Sequence, residues 1–145
     1  MLRLSALAAS LALACAAPCA ADAAQVTVGD AWFRALPGGV PAGGYFVLRN
    51  EGAKTVTLTG ASSPACGNVM LHKSMQMGGM DRMEMVDGVA VPPKGRATFA
   101  PGGYHLMCMA PTAAMKPGRF VAVTLEFADG THLSARFAVK NAMGK

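Results

Sequence analysis

The chain has 145 residues, of which 52% are hydrophobic and 14% are charged, and its formal net charge is +5. This length suits one domain of about 100 to 150 residues, and the scattered basic residues form no stripe or motif for nucleic-acid binding. The sequence places no paired carboxylates near a histidine, no Ser/His/Asp set together and no phosphate-binding loop, so it gives no support for an enzyme.

The N-terminal segment has the pattern of an export signal. Arg3 precedes an apolar run from Leu4 to Ala17 that is too short to span a bilayer, and an A-x-A pattern of small residues ends at Ala23. We therefore expect a signal peptide over residues 1–23, a mature domain over residues 24–145 and a periplasmic location. No later segment is apolar enough to predict a membrane span.

Lipoprotein anchoring is a less favoured alternative to a cleaved, unanchored signal. Cys15 lies near the end of the apolar run, where a lipid-modified cysteine could stand. The residue three positions before it is Ala12, however, rather than the leucine that favours lipid attachment. The sequence therefore favours an exported domain without a membrane anchor.

Short segments of the mature chain have the composition or the alternation of β-strands. They lie at Gly43–Asn50, Thr55–Thr59, Val69–His72, Val89–Val91, Ala97–Phe99, Tyr104–Met109, Phe120–Phe127 and His132–Val139. The turn Ala128–Gly130 closes a hairpin between the last two segments. Between Val69–His72 and Val89–Val91, the run from Gly78 to Met85 has no clean period, and its two glycines favour a loop. Short strands at this spacing, with Gly/Pro turns and no amphipathic helix, predict an all-β fold, a β-sandwich of Greek-key type.

Cys66 and Cys108 are the cysteines that lie outside the predicted signal. An even number of cysteines in an oxidising compartment favours a disulfide between them, and no C-x-x-C spacing points to a redox or zinc site. Two free thiols, or one thiolate that joins a metal, remain alternatives.

One stretch of the chain is rich in soft metal ligands. His72 is separated from Met83 by ten residues, and His105 lies two positions before Met107. Thioether sulfur with neutral imidazole selects copper, above all Cu(I), whereas zinc favours thiolate or carboxylate ligands. These four side chains are therefore our candidate metal ligands, with Cu(I) as the cargo and Cu(II) at flanking groups as a further option.

Strand geometry predicts how these ligands meet. Residues two apart in a strand share a face, so His105 and Met107 are expected side by side at the surface end of a strand, while Cys108 faces the core. His72 is expected at the end of another strand, and Met83 in the flexible loop that follows it. A loop ligand can be released without unfolding the sandwich, which suits a metal that is taken up and handed on.

Further methionines surround this stretch, and their role stays open at the level of the sequence. They can bind additional metal, widen a capture surface or only flank the site, and Met80 or Met85 can replace Met83 as the fourth ligand. The candidates for additional metal are Met75, Met77, Met80 and Met85.

The order H-x10-M-x21-H-x-M, with the segments LHKSM, MEM and PGGYHLMCM, resembles the periplasmic copper chaperone family PCuAC, also called DUF461. DAWFR and YFVLRN earlier in the chain are similar to that family as well. The resemblance implies a cupredoxin-like fold and a Cu(I) site at His72, Met83, His105 and Met107. It also implies delivery of copper to the CuA centre of cytochrome c oxidase, alongside a thiol-bearing Sco-type partner. Lys73 departs from the family pattern, in which methionine often follows the first histidine.

Other classes of protein compete with a non-enzymatic copper chaperone. An electron-transfer cupredoxin would need a Cys thiolate beside the histidines, and Cys108 is the candidate. An exported copper-buffering or resistance protein would use the same ligands without a recipient. A structural or adhesive sandwich would carry the methionines without any function in metal binding.

Overall fold

The computed structural model describes residues 25–145, and the predicted signal peptide, with Cys15, lies outside the described residues. The described chain is built of β-strands: β1 Val26–Arg34, β2 Ala42–Asn50, β3 Val56–Ser62, β4 Cys66–Met77, β5 Met80–Met85, β6 Val89–Val91, β7 Arg96–Phe99, β8 Tyr104–Pro111, β9 Phe120–Phe127 and β10 His132–Lys140. Within residues 25–145, no helix has the length and hydrophobicity needed to cross a membrane.

Hydrogen bonds connect the strands in the order β5-β4-β8-β7-β2-β1-β10-β9-β3-β6. Strand β1 links two arms of this sheet, β5-β4-β8-β7-β2 on one side and β10-β9-β3-β6 on the other. It pairs with β2 in the antiparallel sense and with β10 in the parallel sense. A bulge between Gly29 and Trp32, with Asp30 at a φ of 51°, bends the chain there. The arms then meet face to face, since β3 contacts β4 and β6 contacts β7. The all-β Greek-key sandwich predicted from the sequence is confirmed.

The core lies between the two arms and is lined by alternate residues of the strands. Phe33, Phe46 and Phe137 are fully buried, and the ring of Phe137 packs against those of Phe33 and Phe46, with centroids 5.2 and 5.4 Å away. In β9 the predicted apolar face is buried throughout, as Val121, Val123, Leu125 and Phe127. Burial of this face fixes the register, since a slip of one residue would turn every side chain to the other face.

The predicted loop from Gly78 to Met85 is wrong. Strand β4 continues to Met77, the chain turns at Gly78 and Gly79, and Met80–Met85 returns as β5. Both glycines have positive φ, 59° and 80°, as a two-residue hairpin turn requires. The hairpin is invisible in the hydrophobic pattern because every residue of β5 is exposed. His72 therefore lies in the middle of a strand rather than at its end.

Candidate metal site

The two candidate histidines lie directly opposite each other on neighbouring strands. Strand β4 pairs with β8 in the antiparallel sense, with His72 opposite His105 and Met70 opposite Met107. Side chains at opposite positions of such a pair share one face of the sheet. The two imidazole rings meet edge to face, with centroids 5.6 Å apart. Residues distant in the sequence are thus brought together on the outer face of the sandwich.

His105 is held in one orientation by the backbone. Its Nδ1 lies 3.1 Å from the carbonyl oxygen of Gly103, which can only accept a hydrogen bond, so we assign the proton to Nδ1. Nε2 then carries the lone pair, and it is buried without a hydrogen-bond partner among the described residues. An imidazole whose other nitrogen donates to a carbonyl is the usual form of a metal-binding histidine.

His72 presents a second unpartnered nitrogen. Its Nδ1 is buried and has no hydrogen-bond partner within residues 25–145. Burial lowers the pKa of His72 below its ordinary value, and the positive charge of a protonated His105 lowers it further. The neutral imidazole, which is the form that binds a metal, is therefore favoured at His72.

The hairpin places its methionines on two different faces. Met85 lies directly opposite His72, and Met83 lies opposite Ser74, two pairs further toward the turn. Met85 shares the face of His72 because the two residues are directly opposite. Met83 shares it as well, because it is two residues from Met85 and residues two apart in a strand point to the same face. Both side chains are about two-thirds exposed, at 63% for Met83 and 66% for Met85. This face can therefore offer thioether sulfur to an ion at the imidazoles.

Met75, Met77 and Met80 lie on the opposite face of the hairpin. Met77 is paired with Met80, and Met75 is paired with Arg82. On β4, Met75 and Met77 are separated from His72 by an odd number of positions, so they lie on the other face of the strand. The register thus turns Met80 away from the imidazoles, which is at odds with Met80 as a replacement for Met83. Met83 and Met85 remain the hairpin residues that face His72.

Met107 completes the set on the other side of the histidines. It lies two residues beyond His105 on the same face, and it is partly buried. His105 itself is only 3% exposed, so the expectation of a surface position for both side chains is wrong for the histidine. A ligand that is buried and held by a backbone hydrogen bond is rigid before any metal binds.

Cys66 and Cys108 are joined by a disulfide and take no part in this face. The sulfur atoms are bonded, and Cys108 is fully buried in the core. Cys108 alternates with Met107 along β8, so its side chain points to the other side of the sheet. The bond removes the thiolate that a blue-copper electron-transfer site needs. The electron-transfer alternative is therefore not supported.

A cluster of two aromatic rings and one guanidinium group lies beside the imidazoles, and it was not predicted from the sequence. Trp32 and Tyr45 pack with ring centroids 4.9 Å apart, and the Arg34 guanidinium lies 5.4 and 5.5 Å from their ring centres. The Tyr45 ring is 6.5 Å from that of His105. Period-two alternation in β2 could have found this residue, because it places Tyr45 on the face opposite the buried Phe46.

The donor set points to a soft metal. Within residues 25–145, no group of three His, Cys, Asp or Glu side chains is arranged to hold a metal ion. An ion at the two imidazoles would therefore take its remaining protein ligands from the methionines of the same face, which are Met70, Met83, Met85 and Met107. Neutral imidazole and thioether together fit Cu(I) better than any hard cation.

Comparisons with known proteins identify a family and several similar chains. Residues 26–139 match the model of the family described as "Putative lipoprotein LpqE-like". A protein of Leifsonia xyli subsp. xyli named "Putative lipoprotein Lxx21020" is 33% identical over 125 residues, which are 86% of this chain and 74% of that protein. The solution structure of CuI-DR1885 from Deinococcus radiodurans is 30% identical and has a TM-score of 0.65, covering 81% of this chain and 78% of that one.

A further solved structure shows the same fold at lower identity. The copper-bound PCuAC domain from PmoF2 is 24% identical with a TM-score of 0.66, and the match covers 81% of this chain and 93% of that domain. This likeness bears on the fold alone, and it confirms the predicted cupredoxin-like sandwich.

Proposed function

Because this chain belongs to the LpqE-like family, we propose that it is an exported, non-enzymatic copper(I) chaperone. The resemblance to PCuAC proteins inferred from the sequence is confirmed by the family match and by the PCuAC domains among its structural neighbours. One of the similar structures, DR1885 of Deinococcus radiodurans, is described in its Cu(I) form. Copper is here the cargo of the protein, which it takes up and hands on.

The observation that carries the proposal is the pair of unpartnered imidazole nitrogens. His105 Nε2 and His72 Nδ1 are both buried, and neither has a hydrogen-bond partner within the described chain. The centroids of the two rings are 5.6 Å apart. A buried polar atom without a hydrogen bond costs about 1 to 3 kcal/mol. A metal ion bound between the two rings would remove this cost at both histidines.

We assign the ligands to His72, His105, Met107 and one thioether of the hairpin. The family resemblance implies Met83 for the fourth position, while the register favours Met85, which is the direct cross-strand neighbour of His72. Thioether is neutral at every physiological pH and His72 is biased toward its neutral form, so binding releases few protons. Four neutral ligands leave the single positive charge of Cu(I) uncompensated, which favours the monovalent over the divalent ion at this site.

The unequal rigidity of the ligands gives a route for transfer. His105 is buried and fixed by Gly103, whereas the hairpin thioethers are exposed on β5, which is the edge strand of the sheet. An incoming ligand from an acceptor can displace the hairpin thioether first, while the histidines and Met107 still hold the ion. The metal therefore passes by ligand exchange and never becomes free in solution.

We propose the CuA centre of cytochrome c oxidase as the recipient, with a Sco-type thiol protein acting alongside. The family resemblance supports this recipient, and the export signal predicted at residues 1–23 is compatible with delivery outside the cytoplasm. Cu(II) at groups flanking the site is a second form of cargo. When the Cu(I)-loaded protein is mixed with the apo CuA domain and the two are separated, metal analysis should find the copper on the domain. The transferred Cu(I) is colourless, and the visible absorption of a copper–thiolate centre should develop once an oxidant such as dioxygen is added.

A competition titration with a Cu(I) chelator tests the metal site itself. The wild-type protein should bind Cu(I) tightly, and X-ray absorption should report both nitrogen and sulfur neighbours. H72A and H105A should each weaken binding by about two orders of magnitude, or about 2.7 kcal/mol. H132A is the matched control, because His132 is exposed at the start of β10. Equal affinities for H105A and H132A would overturn the proposal.

An exported copper-buffering protein is the second candidate function. The exposure of Met83 and Met85 fits a site that exchanges copper readily with any acceptor. A buffer would lose copper to the CuA domain and to a chelator of equal affinity at the same rate. A chaperone should load the domain faster than that chelator, because docking brings the two sites together.

A further inference from the structure

The back face of the hairpin carries a second group of thioethers. Met75 and Met77 alternate along β4, and Met80 stands directly opposite Met77 on β5. All three share one face, which is the face turned away from His72. The register is continuous from His72–Met85 to Met77–Met80, so no bulge changes this assignment.

The spacing lets three sulfurs reach one ion. Opposite residues of an antiparallel pair have Cβ atoms about 4.5 to 5.5 Å apart, and diagonal neighbours such as Met75 and Met80 are about 7 to 8 Å apart. Met75 and Met77 are about 6.8 Å apart along their strand. Methionine has three flexible torsions, so side chains at these separations can converge on a common point.

Neither core packing nor the turn explains Met77 and Met80, whereas Met75 is half-buried. Met77 and Met80 are 51% and 67% exposed, so they fill no gap in the core. The glycines at 78 and 79 already provide the positive φ angles that the turn requires. Single exposed apolar side chains are common on protein surfaces, so it is the clustering of these three on one face, rather than their exposure alone, that suggests a ligand.

We propose that Met75, Met77 and Met80 form a second Cu(I) site, made of three thioethers. Soft neutral sulfur selects Cu(I) over the divalent cations of the periplasm. The site shares no ligand with the imidazole site and lies on the other face of the same hairpin, so it does not depend on the function proposed above. Its exposed edge position makes it a point of entry for copper.

The charges around this site are mixed. Arg82 lies opposite Met75, and Lys73 lies on the same face opposite Glu84. The Arg82 side chain opposes the binding of a cation, but it is exposed and its charge is screened by salt. Affinity at the thioether site should therefore be weaker than at the imidazoles and should rise with ionic strength.

A titration with Ag(I), a stable mimic of Cu(I), tests the proposal. The wild-type protein should bind two equivalents, and the double variant H72A/H105A should retain one whose X-ray absorption shows sulfur neighbours alone. The triple variant M75L/M77L/M80L should bind one equivalent, with nitrogen still present. M143L serves as the matched control for an exposed methionine outside the hairpin, and it should keep both equivalents.

The failure of each proposal is distinguishable in the same experiment. One equivalent in the wild-type protein, or none in H72A/H105A, would overturn the thioether site. Absence of nitrogen neighbours in the triple variant would overturn the imidazole site instead. In the folded wild-type protein, Ag(I) should also shift the methyl resonances of Met75, Met77 and Met80, and unchanged resonances would count against the site without relying on any variant.

Discussion

His72 and His105 stand directly opposite each other on β4 and β8, and their rings meet edge to face at 5.6 Å. This one cross-strand pair joins two segments that are more than thirty residues apart in the chain. The rings differ in their surroundings, because His105 is buried and bonded to Gly103 while His72 is only half-buried. The pair therefore combines a fixed ligand with an adjustable one.

Stability without metal should fall as the pH is lowered through the range of the histidines. The pKa of His72 is lowered by burial and by His105, so the unfolded chain takes up a proton near its ordinary pKa of about 6.5 and the folded chain only at lower pH. Stability is thus full above about pH 6.5 and is lost below it. Urea unfolding at about pH 7.5 and about pH 5.5 should show this loss.

The H72Q variant provides the control for this pH dependence. It should lose less stability between the two pH values, because the proton-binding group is gone. The pKa of the Asp129 carboxyl is lowered by hydrogen bonds from Thr131, so its contribution is lost at lower pH than this window. An identical pH dependence in H72Q and the wild type would contradict the assignment.

Removal of the β8 ligands should abolish tight binding without unfolding the domain. The double variant H105A/M107A should lower Cu(I) affinity by more than about two orders of magnitude. Met107 is partly buried and His105 nearly fully buried, so some loss of stability is expected as well. Circular dichroism should still report the β-sandwich, and unchanged affinity in a competition titration would refute the ligand assignment.

The fourth ligand should be identified by single changes in the hairpin. Met85 is the direct neighbour of His72 and Met83 is its diagonal neighbour, at separations of about 5 Å and about 7 to 8 Å between Cβ atoms. If the fourth ligand is the methionine directly opposite His72, M85L should weaken Cu(I) binding about tenfold or more and M83L should have the smaller effect. The reverse result would assign the position to Met83, as the family resemblance implies.

The disulfide should stabilise the fold without affecting the metal. It closes a loop across a sequence separation of 42 residues, for which loop entropy predicts a stabilisation of about 2 to 4 kcal/mol. The variant C66A/C108A should lose about this much in urea unfolding, and its Cu(I) affinity should stay that of the wild type. Cys108 faces the core, so a large loss of affinity in a folded variant would contradict the separation of the two faces.

The sequence predicted the sandwich where burial imposes a pattern, and it failed where burial is absent. The alternation of Val121, Val123 and Leu125 follows from one buried face, and the structure confirms it. The fully exposed β5 has no such pattern, so its pairing with β4 was not predictable from hydrophobicity. Strand β1 also escaped prediction, because the bulge after Gly29 interrupts its alternation.

The candidate ligands were readable from residue type and spacing, but their arrangement was not. Period two placed His105 and Met107 on one face and Cys108 on the other, since both consequences are local to β8. The pairing of His72 with His105, and the separation of Met80 from Met83, depend on the register between strands. That register is set by the buried residues of β4 and by the turn at Gly78, and neither belongs to the metal-binding motif.

A glycine on the core face of β2 should be indispensable for packing. A Cβ atom at Gly44 would lie 2.5 Å from Cε1 of Phe33, a rigid ring that is completely buried and packed against Phe137. G44A should therefore destabilise the fold by about 1 to 3 kcal/mol through overpacking. G29A is the matched control, because a Cβ at Gly29 would meet no atom within 4 Å. Urea unfolding should show a clear loss for G44A and little change for G29A, and equal stabilities would mean that the Phe33 ring can move aside.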